Sequence, residues 1–248
     1  MEMPNVSKDW FVEWFDSPYY HILYNSHGTT EAENFINKLV KFLPITPENN
    51  VLDLACGKGR HSVYLNKLGM KVTGVDLSPN SIEFAKQFEN DRLHFNVHDM
   101  REKLESENYD IILNLFTSFG YFEGDDDNKI SISAIAEGLK PGGRFVIDFF
   151  NTNRVLKKLI PRYTLKIQGI SFNISKKYYQ GYIYKDIRFH DDGKDFHFHE
   201  KVKALNREDF AKYFKAAGLK IISLLGNYNL DQFILEKSDR MIFITEKI

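Results

Sequence analysis

Residues 51–65, "VLDLACGKGRHSVYL", constrain the fold more than any other stretch of this chain. A short apolar run leads into small residues and a Gly-x-Gly pair, and an amphipathic segment follows. This order predicts a buried strand, a tight turn and a helix. In an open α/β sheet, the turn after the first strand is where ligands bind. Here it could hold a dinucleotide, a phosphate or a ligand with neither group.

Short apolar runs alternate with helical patterns on both sides of this turn. Strands that alternate with helices pair in parallel, so the pattern predicts an α/β fold with a doubly wound Rossmann-like sheet. The predicted strands are 50–55, 71–76, 92–97, 109–114 and 143–149, and the predicted helices are 30–43, 60–68, 79–89 and 126–138.

The hydrophobic pattern of the sequence changes after Asn151. Residues 163–205 alternate apolar and polar side chains, and two of these runs meet at "DDGK", a typical hairpin turn. This segment is predicted to be an antiparallel β insertion. A helix capped by Asn206 and strands near 219–225 and 240–246 then return to the core pattern.

Bulk properties limit the classes of protein to consider. A chain of 248 residues can form one domain, with room for an insertion. The only cysteine, Cys56, excludes an internal disulfide. No run approaches the roughly 18 apolar residues of a membrane span, and the first residues lack a signal-peptide pattern. We therefore expect a cytoplasmic protein without a membrane partner.

Charge is unevenly distributed along the chain. Residues 1–150 hold 14 basic and 23 acidic side chains, whereas residues 151–248 hold 19 and 11. The basic excess is concentrated at 154–188. A solvated face of the inserted sheet is the simplest interpretation of this excess, and contact with an anionic substrate or RNA is the alternative.

The residues around the glycines discriminate among ligands. Asp76 ends the second predicted strand, 19 positions after Gly57, a separation typical of a carboxylate that accepts bonds from ribose hydroxyls. A dinucleotide fingerprint would have a third glycine where Ser62 stands. Asp53 would repel a pyrophosphate and attract an amino group or a sulfonium. A phosphate-binding Gly-Lys-Ser/Thr motif is also missing.

The motifs "DLACGKG", "GVDLS", "HDM", "NLFTSFGYF" and "LKPGG" resemble those of class I S-adenosylmethionine-dependent methyltransferases, over most of residues 20–150. The closest similarity is to small bacterial enzymes with a β insertion after the fifth strand. The resemblance implies S-adenosylmethionine as cofactor, a sheet of seven mostly parallel strands with the last one antiparallel, and three parts. These parts are an N-terminal helical lid (1–45), a core (46–152 and 206–248) and the insertion (153–205).

The resemblance also implies a role for each matching position. Asp53, Gly57 and Gly59 would meet the methionyl part. Arg60, at the start of the helix, could pair with the methionyl carboxylate or with a surface acid, and we favour the former. Asp76 would bind the ribose hydroxyls. The adenine would lie against Leu77 and be read by Asp99 and the Met100 amide. The remaining predicted cofactor residues are Asn114 to Phe116, which would close the pocket, and Tyr20 and Tyr24. The two tyrosines would cover the cofactor as part of a lid, and packing within an aromatic N-terminal arm is the alternative.

The acceptor is less constrained than the cofactor. We expect methyl transfer to a nitrogen or oxygen of a small molecule, and the basic excess of the insertion allows an anionic one. RNA methylation and a non-catalytic cofactor-binding module are the alternatives, and monomer and homodimer both stay open. No side chain can be assigned as a catalytic base. The predicted acceptor-pocket residues, which would equally suit an aromatic core, are Thr117, Phe119, Tyr121 and Phe122.

Two histidines of the insertion, His197 and His199, share one face of a predicted strand. Glu200 alternates to the opposite face, and His190 lies across the predicted hairpin. Because a metal site needs further ligands, we expect a solvated sheet face at these histidines and no metal.

Overall fold

The computed structural model describes residues 10–24, 29–43 and 45–248. Two β-sheets organise this part of the chain. The larger sheet has seven strands in the order β10-β11-β5-β4-β1-β2-β3, and the smaller has four in the order β6-β7-β8-β9. In the larger sheet, β11 runs antiparallel to both β5 and β10, and the other neighbours are parallel.

The strands are β1 (Asn50–Leu54), β2 (Lys71–Asp76), β3 (Leu93–Val97), β4 (Tyr109–Asn114), β5 (Leu139–Phe150), β6 (Arg162–Ile167), β7 (Ile170–Tyr179), β8 (Tyr182–Asp191), β9 (Lys194–Lys203), β10 (Leu219–Leu225) and β11 (Arg240–Lys247). The helices are α1 (Trp10–Asp16), α2 (Pro18–Tyr24), α3 (Thr29–Phe42), α4 (Arg60–Lys67), α5 (Pro79–Lys86), α6 (Asp125–Gly138), α7 (Thr152–Lys157) and α8 (Arg207–Ala216).

Local chemistry explains where several of these elements begin. Ser78 accepts a hydrogen bond from the Ser81 amide at the start of α5, and Pro79 follows it at the first helical position. Asn206 and Asp209 form a complete capping box at the start of α8. Both helices pack an apolar face on the larger sheet.

The second sheet, β6 to β9, is antiparallel throughout. Its last hairpin joins β8 to β9 through Asp192 and Gly193, whose φ angles are 46° and 72°. Positive φ at both positions is the geometry that a two-residue hairpin turn requires, and glycine adopts it without steric cost. The predicted hairpin at "DDGK" is therefore confirmed.

An aromatic cluster joins the N-terminal arm, defined here as residues 10–24, to the second sheet. Trp10, Phe11 and Trp14 are buried, and Trp14 packs on Phe198 of β9 with ring centroids 4.6 Å apart. Phe172 of β7 is completely buried in the same cluster. The arm thus belongs to a hydrophobic core distinct from the two that flank the larger sheet.

The predicted fold class is confirmed. The five parallel strands lie within one to four residues of their predicted positions, and β5 begins four residues early because Leu139 pairs with Tyr109 before the Pro-Gly-Gly turn. The short helices α1, α2 and α7 were not delimited from the sequence. Among the described helices, none combines the length and apolar character that crossing a membrane requires.

Candidate active site

A cavity of about 1050 Å³ lies between the carboxyl ends of β1 and β4, the N-terminal arm and the inner face of the second sheet. The order of strands reverses between β1 and β4, which is where an open α/β sheet binds its ligands. The sequence-predicted site residues that line the cavity are Tyr20, Tyr24, Asp53, Gly57, Arg60 and Phe116.

Two carboxylates hold the turn after β1: Asp53, which is buried, and Asp76, which is partly buried. Asp53 is 1% exposed and accepts a hydrogen bond from the Ser62 hydroxyl at 2.6 Å. Asp76 accepts bonds from the Gly57 amide at 2.8 Å and from the Ser78 amide at 2.9 Å. Asp76 therefore fixes the glycine turn and the loop before α5 in one geometry.

The two positions of the turn require glycine for different structural reasons. Gly57 has φ of 55°, and a Cβ built on it would meet no atom within 4 Å, so this position faces open space in the cavity. Gly59 has φ of 79°, and its Cβ would lie 2.7 Å from the Phe95 ring. Gly59 does not line the cavity, so its missing side chain is explained by packing against β3.

Replacing each glycine with alanine should separate these two reasons. Gly59→Ala is expected to destabilise the fold by about 1–3 kcal/mol through overpacking, in addition to left-handed backbone strain. Gly57→Ala bears only the backbone cost, but its methyl group enters the cavity and should weaken cofactor binding. Denaturant unfolding and calorimetric titration of both variants measure the two effects, and the same stability loss in both would contradict the packing argument.

Burial shifts the pKa values of two ionisable groups that line the cavity. Burial raises the pKa of Asp53 to about 6, against the opposing hydrogen bonds from Ser62. Burial and the neighbouring Arg60 cation lower the pKa of His61 to about 3. His61 stacks on Phe116 with ring centroids 5.0 Å apart, and the Arg60 guanidinium lies 4.9 Å from the centroid of the same ring. His61 is therefore a neutral imidazole at neutral pH.

The loop after β4 is held by a buried ion pair. Asp148 of β5 is fully buried and accepts bonds from Arg240 Nε at 2.7 Å, the Phe116 amide at 2.9 Å and the Tyr228 hydroxyl at 3.0 Å. Arg240 also donates from Nη2 to Thr117 Oγ1 at 2.7 Å. Phe116 and Thr117 both have positive φ, 58° and 65°. The ion pair thus holds a strained loop at the cavity wall.

The inner face of the second sheet contributes a second group of polar side chains to the cavity. Glu200 Oε1 accepts bonds from Trp14 Nε1 at 2.8 Å and from the Tyr24 hydroxyl at 2.5 Å. Glu200 Oε2 lies 3.6 Å from Lys185 Nζ, and Lys185 also donates to Tyr24. Both charged side chains are nearly buried, so Glu200 ties the N-terminal arm to the sheet.

Four residues predicted to lie at the adenine and ribose end do not line the cavity. The Asp99 carboxylate is paired with Arg101, with Nε to Oδ1 at 3.0 Å. Leu77 and Met100 pack against the aromatic cluster of the arm. The arm also reaches this end directly, because Asp16 accepts bonds from the Ser78 hydroxyl and from the Asn80 side chain. Asp76, the fourth of these residues, holds the glycine turn but does not line the cavity itself.

Asn114 lies under the loop rather than in the cavity. It is fully buried and donates to the Leu54 carbonyl at 3.1 Å, whereas its Oδ1 has no hydrogen-bond partner among the described residues. Of the predicted acceptor residues, Thr117 and Tyr121 line the cavity. Phe119 and Phe122 are instead buried in two of the hydrophobic cores.

The sequence did not predict most of the polar side chains that line or support the acceptor side of the cavity, which is the part next to the second sheet and the loop after β4. The signal for Asp148 was an acid within the apolar run "FVIDFF", and the signal for Glu200 was its alternation away from the histidines. Arg240 gave no signal beyond a charge at the start of a strand. The polar and charged cavity residues that were not predicted include His61, Lys176, Lys185, Glu200, Tyr228 and Arg240.

The two histidines lie on the outer face of the second sheet, as predicted. A third group, Asp186 of β8, joins them: its Oδ2 lies 2.6 Å from His197 Nε2 and 3.4 Å from His199 Nδ1. His190, across the hairpin, does not join this group, because its side chain pairs with Asp195 at 2.8 Å.

The larger sheet, the glycine turn and the two strand-end acids define a class of fold that binds nucleoside-containing ligands at the β1 and β4 switch point. Comparison with known proteins is more specific. The methyltransferase domain model matches residues 45–196, which is more than half of the chain. The chain therefore belongs to the methyltransferase domain family.

Individual relatives agree with this assignment. A protein named as a methyltransferase in Geobacillus sp. (strain WCH70) is 24% identical over 96% of this chain and 98% of its own length. An N,N-dimethyltransferase of dTDP-3-amino-3,4,6-trideoxy-α-D-glucopyranose from Streptomyces venezuelae is 30% identical over 42% of this chain and 44% of its own. The predicted resemblance to S-adenosylmethionine-dependent methyltransferases is confirmed, and with it the predicted cofactor.

Solved structures confirm the fold independently. A crystal structure of an S-adenosylmethionine-dependent methyltransferase from Clostridium acetobutylicum matches with a TM-score of 0.77 and 20% identity. The match covers 92% of this chain and 96% of that one. The match therefore extends over nearly the whole chain.

Proposed function

We propose that this protein transfers a methyl group from S-adenosylmethionine to a nitrogen or oxygen atom of a small, anionic acceptor. The observation that carries the proposal is the continuity of the cavity. One space of about 1050 Å³ extends from the glycine turn, where the cofactor fits, to the inner face of the second sheet, where an acceptor fits. Donor and acceptor would thus meet away from bulk water.

The residues at the glycine turn suit the cofactor. S-adenosylmethionine supplies a methyl group already activated on a positively charged sulfur, so its transfer needs mainly alignment. Gly57 leaves room at the backbone, and the Asp53 carboxylate offers a negative charge to the cofactor's amino group. The unpartnered Oδ1 of Asn114 is a further buried acceptor near this end.

We assign the predicted cofactor residues as follows. Asp53, Gly57, Arg60 and Phe116 contact the methionyl part, while Gly59 and Asn114 support the turn and the loop around it. Asp76 accepts bonds from the ribose hydroxyls, and Leu77, Asp99 and Met100 surround the adenine. Tyr20 and Tyr24 cover the site from the N-terminal arm, which we propose acts as its lid. An arm that packs on both Ser78 and Glu200 would have to move for ligands to enter.

Substitution of Asp76 tests the ribose assignment. Asp76→Asn keeps an acceptor for one backbone amide but removes the charge, so S-adenosylmethionine affinity should fall by about 1.5–3 kcal/mol, the usual worth of hydrogen bonds to a charged group. Calorimetric titration of the folded variant measures this loss. Asp110→Asn is the matched control, because Asp110 pairs with Lys140 away from the cavity. Equal affinities in the two variants would remove Asp76 from the ribose role.

Basic side chains support an anionic acceptor. Lys176 lines the outer part of the cavity, where burial lowers its pKa, and no acid lies within ion-pair distance of it among the described residues. Lys176, Tyr163 and Val155 also line a smaller adjoining cavity of about 290 Å³, in which Lys158 is a further cation and Arg154 is paired with Asp239. A carboxylate or phosphate on the acceptor could be held there.

The groups near the arm support a nitrogen acceptor. An ammonium group needs only to lose one proton before its lone pair can attack, whereas a hydroxyl needs a base. Glu200 and the tyrosines around it favour an amino group over an apolar acceptor. The amino-sugar methyltransferase among the relatives acts on an acceptor of this kind, which supports the same class for this chain.

The RNA alternative receives less support from the basic segment. Several of its side chains pair with acids of this chain: Arg154 with Asp239 at 2.6 Å, Lys157 with Glu236, and Arg188 with Asp186 at 2.9 Å. Charges that are paired internally release fewer counterions on a nucleic acid. The excess at 154–188 therefore supports a phosphate grip less than the sequence alone suggested.

Titration and turnover together test the proposal. Purified protein should bind S-adenosylmethionine and S-adenosylhomocysteine, but not NAD. A panel of small amines and hydroxyl compounds, with and without a phosphate or carboxylate, is then incubated with the cofactor, and methylated product is detected by mass spectrometry. Product from tRNA alone, with a steep loss in salt, would favour the nucleic-acid alternative. Binding without any turnover would favour a non-catalytic module.

A further inference from the structure

The outer face of the second sheet carries a group of potential metal ligands that the proposed methyl transfer does not use. Asp186 of β8 stands directly opposite His199 of β9 in the strand register, and His197 lies two residues before His199 on the same face. One ligand atom from each of the three side chains lies within 4.8 Å of the other two. Two adjacent strands thus converge three donors on one point.

The donor set is one that transition metals prefer. Two imidazole nitrogens and a carboxylate oxygen are ligands of Zn²⁺, which binds them at about 2.0–2.2 Å. The hydrogen bond of 2.6 Å between His197 Nε2 and Asp186 Oδ2 would give way to coordination by both atoms, with only a small separation of the side chains. Side-chain exposures of 42%, 22% and 23% leave one side open for water.

A neighbouring cation on the same strand orients the carboxylate of this donor set. Arg188 Nε holds the other carboxylate oxygen at 2.9 Å, which orients the group as outer-shell partners of metal ligands do. Arg188 is also the cation closest to the site, and its charge would moderate the affinity.

We propose that Asp186, His197 and His199 bind one Zn²⁺ ion on the outer face of the second sheet, with water completing the coordination. The site is independent of the proposed methyl transfer. It still has a structural connection to the cavity, because Asp186 and His199 are the chain neighbours of Lys185 and Glu200, which face inward. A bound ion would cross-link β8 to β9 behind that pair.

Calorimetric titration of the full-length, tag-free protein with ZnCl₂ in chelator-treated buffer tests the proposal. We expect one ion per chain, and a rise in the thermal unfolding midpoint with Zn²⁺. His197→Ala and His199→Ala should each weaken binding at least about tenfold, the lower end of what loss of even an outer-shell partner costs. Co²⁺ in place of Zn²⁺ should give visible absorption bands in the wild type that both variants lose.

A nearby histidine provides the control. His190 lies on β8, four residues after Asp186, but pairs with Asp195, so His190→Ala should bind Zn²⁺ like the wild type. Unchanged S-adenosylmethionine affinity in the three variants would show that they are folded. The proposal is overturned if the wild type binds no Zn²⁺, if binding survives both site substitutions, or if His190→Ala loses it equally.

Discussion

Replacing Arg240 with methionine is expected to lower the free energy of unfolding by about 3–5 kcal/mol, because it leaves a buried carboxylate without its counter-charge. Asp148 is completely buried, and the Phe116 amide and Tyr228 hydroxyl that remain do not carry a full positive charge. Methionine keeps most of the side-chain volume, so loss of packing contributes little. Urea unfolding followed by circular dichroism measures the change.

The same two strands provide a matched control. Arg144 of β5 and Glu246 of β11 form an ion pair at 3.6 Å, but the two side chains are 33% and 40% exposed. Arg144→Met should therefore cost no more than about 1 kcal/mol. Adding Asp148→Asn to Arg240→Met should recover part of the loss, since the buried charge is then gone. If Arg240→Met were as mild as Arg144→Met, the charge of Asp148 would not depend on Arg240.

The substitution Asp53→Asn is expected to act in opposite directions on stability and on cofactor binding. Burial raises the folded-state pKa of Asp53 to about 6, while an unfolded aspartate titrates near 3.9. Between these values the folded state holds more protons, so stability contributed by this group is lost as the pH rises from about 4 to about 6. Asparagine can accept the Ser62 hydroxyl bond without a charge.

At pH 8 the asparagine variant should therefore be more stable than the wild type by at most about 3 kcal/mol. This is the free energy that corresponds to raising the pKa of Asp53 from about 3.9 to about 6. The difference should shrink as the pH falls through 6 and vanish near pH 4. The same variant should bind S-adenosylmethionine more weakly, because the negative charge proposed to face its amino group is gone. Unfolding curves at several pH values and one titration at pH 8 check both effects. A constant stability difference across this range would contradict the raised pKa.

The sequence predicted the larger sheet well because its signals are local. Each parallel strand is an apolar run with a turn on either side, and the capping residues Ser78 and Asn206 mark helix starts with hydrogen bonds to residues three positions away. The Gly-x-Gly turn and Asp76 are also close in sequence. Those signals sufficed for the fold and for the class of cofactor.

The acceptor side could not be predicted for a physical reason. Its groups come together only through tertiary contacts: Tyr24 meets Glu200 across 176 positions, and Arg240 meets Thr117 across 123. Neither hydrophobic periodicity nor motif spacing in the sequence indicates that residues so far apart will meet. The same is true of Asp186, which joined the two histidines through strand register, and of Phe95, which explains Gly59 from another strand.

The tie between Trp14 and Glu200 has a consequence for how the chain matures during synthesis. Translation delivers α1 long before β9, yet Trp14 of that helix meets Phe198 and Glu200 on a strand made more than 180 residues later. The α/β core can begin to assemble while the arm still exposes its aromatic side chains. Burying Trp14, and closing the cavity with the inner face of the second sheet, must therefore wait until β9 has been made.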